Sequence, residues 1–113
     1  MKRGEVWWVS LASSIGGEIR KKRPALIVSN DAANRYLNRL QVVPTTSSVG
    51  RLYPSEAVVT VNRKRGKAMA DQLTTVSKLR LVNRAGHVVP KEMREVERAI
   101  RVQLGLFHPA EPI

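Results

Sequence analysis

The stretch KKRPALIVSND, residues 21–31, sets a basic cluster against a proline, then an apolar run, then a turn-forming Ser29-Asn30-Asp31. Pro24 disfavours the helical region for the residue before it, so Arg23 enters the following segment with an extended backbone. Ala25 to Ser29 is short and apolar at its centre, bounded by turn residues, as a fully buried strand tends to be. An arginine held at the mouth of such a strand presents a planar fork of donors. That fork suits a phosphate and the extra charge that develops during phosphoryl transfer. The plainer reading is a structural arginine paired with Glu18 or Asp71.

Further runs of the same kind surround it. Glu5 to Leu11 (EVWWVSL) and Leu40 to Pro44 (LQVVP) read as strands, and Ala57 to Val61 (AVVTV) leads into a basic hairpin-like turn, Asn62 to Gly66. Lys67 to Asp71, Gln72 to Val76 and His87 to Val89 are shorter strand candidates, and helical turns fit Asp31 to Tyr36 and Val76 to Arg80. After Pro90 the period changes. Met93, Val96, Ile100 and Leu104 recur at spacings of three and four, which places them on one helical face. Pro90 suits the start of that helix and Gly105 its end, with Glu97 and Arg101 spaced to pair one turn apart. The expected fold is α+β and mainly β: one domain over 1–113, a small coiled antiparallel sheet or barrel over about 1–89, closed by a helix over about 91–105.

At 113 residues the chain has room for one modest core. It contains no cysteine, which leaves neither disulfides nor thiolate metal sites to support it. No charged-then-apolar leader opens it and no apolar run approaches membrane-spanning length, so a soluble cytoplasmic protein with no membrane association is expected. Twenty Lys and Arg against nine Asp and Glu give a net charge of +11. From Pro90 onward, Lys91, Arg94, Arg98 and Arg101 balance Glu92, Glu95, Glu97 and Glu111, so residues 1–89 carry the whole excess. A field of that sign attracts polyanions, of which nucleic acid is the commonest.

The two histidines, His87 and His108, have no carboxylates spaced near them as a ligand set requires, so no metal site is expected. The glycines form neither known phosphate-loop pattern. Three places carry chemical interest. The loop Ser13 to Lys22 (SSIGGEIRKK) combines glycines with Glu18, Arg20, Lys21 and Lys22, and a flexible basic loop can fold over a nucleic-acid strand. Arg23-Pro24 is the second. The third is Pro44 to Ser48, where Thr45, Thr46, Ser47 and Ser48 could cap the next element, bond phosphate oxygens or position a ribose hydroxyl.

These segments, in order, resemble the MazF/PemK group, the toxin halves of type II toxin–antitoxin pairs. The residues that carry the likeness are Lys2 to Trp8 (KRGEVWW), Gly17-Glu18 with Arg23-Pro24 and Val28 to Asp31, then Val43 to Ser47 (VPTTS), Tyr53 to Glu56 (YPSE) and Ala70 to Gln72 (ADQ). The resemblance implies an SH3-like barrel, a homodimer and metal-independent cleavage of single-stranded RNA at short sequence motifs, with no cofactor. The expected products are a 2′,3′-cyclic phosphate and a 5′-hydroxyl. It implies that Arg23 and Thr46 are catalytic, that Glu18 supports activity, and that Asp71 contributes to the RNA site. Arg20, Lys21, Lys22, Ser47 and Arg51 are expected to hold RNA. PemK-like members carry an arginine two residues before the Asp; here that position is Met69, so its role does not transfer. A cognate antitoxin with an acidic, disordered tail is the implied partner. Two other readings share the barrel or the charge: a gyrase-binding toxin similar to CcdB, and a non-catalytic RNA-binding module.

Overall fold

The computed structural model describes residues 1–10 and 22–106. Among the described residues there are seven strands: β1 (Glu5–Ser10), β2 (Lys22–Ile27), β3 (Arg39–Thr46), β4 (Glu56–Val61), β5 (Lys64–Met69), β6 (Thr74–Ser77) and β7 (Leu81–His87). Helix α1 (Asp31–Tyr36) follows β2, and α2 (Pro90–Leu104) closes the described chain. The sheet runs β4-β5-β3-β2-β1-β7, with β6 also paired to β3. No helix among the described residues is long and apolar enough to cross a membrane.

Strand β3 is the hub. Val42 to Pro44 pair with β2, Arg39 to Val42 pair with β6, and Thr45 and Thr46 pair with β5. The chain passes from β5 to β6 along one edge of β3 through a 3-10 turn at Ala70–Gln72. Strands β2 and β3 are covered on both faces, which explains their continuous apolar runs. Leu26 and Val43 join the core under α2 with Val6, Val59, Met93 and Val96. Ala25, Ile27, Leu40 and Val42 face the other way, into a second cluster with Val9, Val76 and Leu81. Burying a Leu or Val of this kind contributes roughly 2 kcal/mol against conformational entropy.

Helix α2 follows its sequence pattern. Pro90 sits at its first turn and Gly105, at φ 68, ends it in the left-handed conformation. Met93, Val96 and Ala99 are buried while Leu104 is exposed, so the apolar stripe runs out before the last turn. Glu92 fastens the helix to β4 by accepting from Thr60 N–H at 2.8 Å and Thr60 Oγ1 at 2.9 Å. Glu97 receives Arg3 Nη2 at 2.8 Å, tying the helix to the N-terminal segment.

The two edge strands meet. Asn62 Nδ2 donates to the Ala85 carbonyl, and a side chain at Gly86 would press on Val61 Cγ1 at 2.8 Å. Gly86 thus lets the β4–β5 hairpin lie against β7, curling the sheet into a half-barrel. The turn between β4 and β5 is two residues, Asn62 and Arg63, because Val61 pairs with Lys64. Both have positive φ, 51° and 65°, as a two-residue hairpin turn requires. Asn tolerates that region and arginine does not, at a cost of about 1 kcal/mol.

Several expected elements shift. Lys64 to Gly66 belong to β5 rather than to the turn, Ala70 to Gln72 form a 3-10 turn rather than strand, and Val76 lies in β6 ahead of a 3-10 turn at Lys78–Arg80. Strand β7 is longer and earlier than the expected His87 to Val89, so His87 ends a strand instead of starting one. Its sequence, LVNRAGH, shows no apolar alternation because it is a largely exposed edge, paired irregularly to β1. His108 and Leu11 lie outside the described residues.

Replacing Arg63 by Gly removes the left-handed strain. Urea denaturation should show the variant more stable by about 0.5 to 1 kcal/mol, while unchanged or lower stability contradicts a strained turn.

Candidate active site

The β2–β3 register explains how Arg23 and Thr46 come together. Ala25 stands opposite Pro44 in the last pair of the β2–β3 ladder, so Arg23 and Thr46 each lie two residues past it at the same end of the two strands. Beyond Pro44, β3 leaves β2 and takes β5 as its partner, with Thr46 opposite Lys67. A cleft of about 780 Å³ opens at this end of the strands. Arg23, Thr46 and Ser47 line it, together with Thr45, Trp8 and Pro24. Val6, Val59 and Val61 form an apolar floor, and Lys64, Arg65 and Arg84 add a second group of cations.

Arg23 is exposed and forms no ion pair with a described residue; Asp71 sits exposed on the 3-10 turn and does not line the cleft. Its fork of donors is therefore directed to no described acid. Thr46 Oγ1 accepts from Ser48 N–H at 3.2 Å, which fixes the hydroxyl oxygen and orients its remaining lone pair and proton. Thr45 Oγ1 donates to the Pro24 carbonyl at 3.4 Å, bridging the strands where they diverge. Gly66 is required beside them, because a Cβ there would sit 2.5 Å from the Thr46 carbonyl oxygen.

The other expected residues distribute differently. Ser47 is in the cleft, while Lys22 is exposed at the first position of β2, beside it. Arg51 lies away from it, with its guanidinium 5.3 Å from the Tyr53 ring centre. Glu18, Arg20 and Lys21 lie outside the described residues. Trp8, Lys64, Arg65 and Arg84 were not singled out by sequence for this site. The basic turn was visible, but its place depends on how far the sheet curls.

Several motif residues prove architectural. Glu5 Oε1 accepts from the Trp7 indole and from Lys2 N–H, both at 2.9 Å, and its other oxygen lies 3.6 Å from Arg84 Nε. Burial pushes the Glu5 carboxyl up, but those hydrogen bonds and charges together hold it below the ordinary range. Asn30 caps α1 through Ala33 N–H, and Asp31 accepts Arg3 N–H, both at 2.8 Å. Asn34 is buried against Ser29.

The Tyr53-to-Glu56 segment ends in a clamp. Glu56 is buried and its Oε1 accepts from Tyr53 N–H and Lys67 Nζ, each at 2.9 Å. Lys67 also donates to the Arg51 carbonyl, and Arg98 of α2 reaches the Pro54 and Glu56 carbonyls. Lys67 is the β5 partner of Thr46, so this clamp fixes the loop that leaves Thr46. Among the described residues no three His, Cys, Asp or Glu side chains cluster to hold a metal ion.

Comparison with known proteins gives the family and the fold. The PemK-like, MazF-like toxin family of type II toxin–antitoxin systems matches residues 2–104, and the chain belongs to that family. It is 34% identical to a Mycobacterium tuberculosis protein named endoribonuclease MazF9, over 95% of this chain and 98% of that one. It is 32% identical to the Escherichia coli K12 endoribonuclease toxin MazF, over 90% and 92%. A solved endoribonuclease from a mycobacterial species superposes with a TM-score of 0.80 at 30% identity, covering 96% of this chain and 95% of that one. A second, solved in complex with its cognate antitoxin, gives 0.79 at 29% identity, covering 96% and 99%.

Glu56 titrates with a sign that can be checked. Burial raises its carboxyl, but the Tyr53 N–H and the Lys67 ammonium outweigh it, and its pKa lies below the ordinary 4.5. A depressed folded-state value means stability that is present above pH 4.5 and lost as pH falls through the folded value. Glu56→Gln should cost about 2 kcal/mol at pH 7 and flatten the acid limb of the stability profile. Parallel profiles for the two proteins below pH 4.5 would show that the pair does not couple to folding.

Proposed function

We propose that this protein is a sequence-specific endoribonuclease that cleaves single-stranded RNA, acting as the toxin of a type II toxin–antitoxin pair and restrained by a cognate antitoxin. One observation carries the reading: Arg23 and Thr46, distant in sequence, line one cleft with an apolar floor and a cationic rim. Family membership supports it, and the named relatives are endoribonucleases rather than gyrase-binding toxins. A purely binding module would need the charge but not this pairing of a guanidinium with a fixed hydroxyl.

In the proposed chemistry the ribose 2′-hydroxyl attacks the adjacent phosphorus. Its oxygen forms the new P–O bond, the P–O bond to the 5′-oxygen breaks, and the proton lost from the 2′-hydroxyl is balanced by one gained at the leaving oxygen. The products are a 2′,3′-cyclic phosphate and a 5′-hydroxyl, a route that DNA lacks. Guanidinium groups hold their proton throughout the working pH range, so Arg23 stabilises the charge on the phosphorane oxygens. Thr46, oriented by Ser48 N–H, positions a phosphate oxygen or the attacking hydroxyl. Glu18 is the proposed base. Arg20, Lys21, Lys22, Ser47 and Arg51 are the proposed backbone contacts, with Asp71 at the edge of the RNA site. A homodimer, cytoplasmic action and an acidic antitoxin tail crossing the basic face complete the proposal.

The test is cleavage of a long single-stranded RNA in EDTA. Wild type should cut at discrete sites and leave cyclic phosphate ends. Arg23→Ala should slow cleavage by roughly a hundredfold to a thousandfold, and Thr46→Ala by a smaller factor. Intact RNA at protein excess and low salt would sink the nuclease reading; full activity in the Arg23 variant would remove Arg23 from the chemistry alone.

A further inference from the structure

The basic β4–β5 turn has a position that nothing in the Arg23–Thr46 chemistry requires. Lys64 and Arg65 line the same cleft as Arg23 and Thr46, from the opposite wall, and Arg63 stands at the tip beside them. All three are exposed, and none forms an ion pair with a described residue. The hairpin is also held at both ends. At its tip Asn62 donates to the Ala85 carbonyl, and at its base Gly66 packs against the Thr46 carbonyl. A turn serving only to reverse the chain would favour Gly at its second position, where this sequence keeps an arginine at φ 65. Strain retained for a cation at the rim of a cleft is the pattern of a binding element rather than of a connector.

We infer that the β4–β5 hairpin is a phosphate clamp for single-stranded RNA, in which Arg63, Lys64 and Arg65 hold nucleotides flanking the point of cleavage. The inference rests on the ribonuclease reading and extends it to a second wall of the site. Lys64 lies three strand residues from Lys67, the partner of Thr46, which is about 10 Å along β5. The hairpin charges therefore act on phosphates beyond the one that Arg23 meets. They add affinity for a longer strand and leave the reacting bond alone. Arg84 contributes less, since Glu5 lies within 3.6 Å of its Nε.

The test compares strand lengths. Wild type, Arg63→Gly and the combined Arg63→Gln, Lys64→Gln, Arg65→Gln variant are titrated with uncleavable 2′-O-methyl oligonucleotides of about 4 and about 12 nucleotides spanning a mapped cleavage site, over a range of salt. For the long strand the combined variant should lower the salt slope by about 2, because each phosphate contact on a single strand contributes about 0.7. KM for long RNA should rise about tenfold while kcat stays within about twofold, and the short strand should bind as before. Arg63→Gly should weaken long-strand binding even as it gains stability, a divergence that a structural role cannot produce. An unchanged slope and KM on long RNA overturn the clamp alone. So does an equal loss of kcat on short and long strands, which would place the hairpin's effect on Thr46. A wild type that binds with the expected slope but does not cut leaves the clamp standing and removes the ribonuclease reading. One that neither binds nor cuts removes both.

Discussion

The pairing of β3 with two different neighbours shapes everything around the site. While β3 runs beside β2, both strands are buried on both faces and the register is held by the ladder. One residue past Pro44 the strand pairs with β5, and the Arg23 end of β2, still paired with Val9 of β1, has no ladder partner on its β3 side. The cleft opens at this end of β2 and β3, where they face the β4–β5 hairpin and β7. A one-residue slip of β2 along β3 would send Leu26 to the core opposite Val43 and carry Arg23 away from Thr46. The same packing that stabilises the sheet therefore fixes the geometry of the site.

This division separates residues that hold the site from residues that act in it. Glu56, Lys67 and Arg98 lock the loop after Thr46, while Glu5, Asp31 and Asn34 tie the N-terminal segment and α1 to the sheet. These groups have their hydrogen bonds satisfied within the protein. Arg23, Lys64 and Arg65 do not form ion pairs with described residues and face a common space. Cations with no ion pair among the described residues, over an apolar floor, suit a ligand that brings its own negative charge and its own flat rings. Much of the +11 charge is dispersed on the surface, but this part of it converges.

Much of this was legible in the sequence where one physical signal dominated. Pro24 before ALIV marked β2 and the extended Arg23, and the spacing of Met93, Val96 and Ile100 marked α2. The order of motifs carried the resemblance and, through it, Arg23 and Thr46. Strand β7 was missed because an exposed edge strand shows no alternation, and Asn62 to Gly66 read as a turn because its basic residues hide a two-residue reversal. Trp8 comes beside the site as the β1 partner of Pro24, while Lys64 and Arg65 reach it only through sheet curvature. That curvature depends on Gly86 and Gly66 permitting close approaches, and no local pattern announces them.

The most direct measurement is a double-mutant cycle on single-turnover RNA cleavage with Arg23→Ala, Thr46→Ala and the double variant. If the two side chains act on one phosphate from neighbouring strands, the losses are strongly non-additive, and the double variant is scarcely slower than Arg23→Ala. Losses that multiply fully would contradict a shared site.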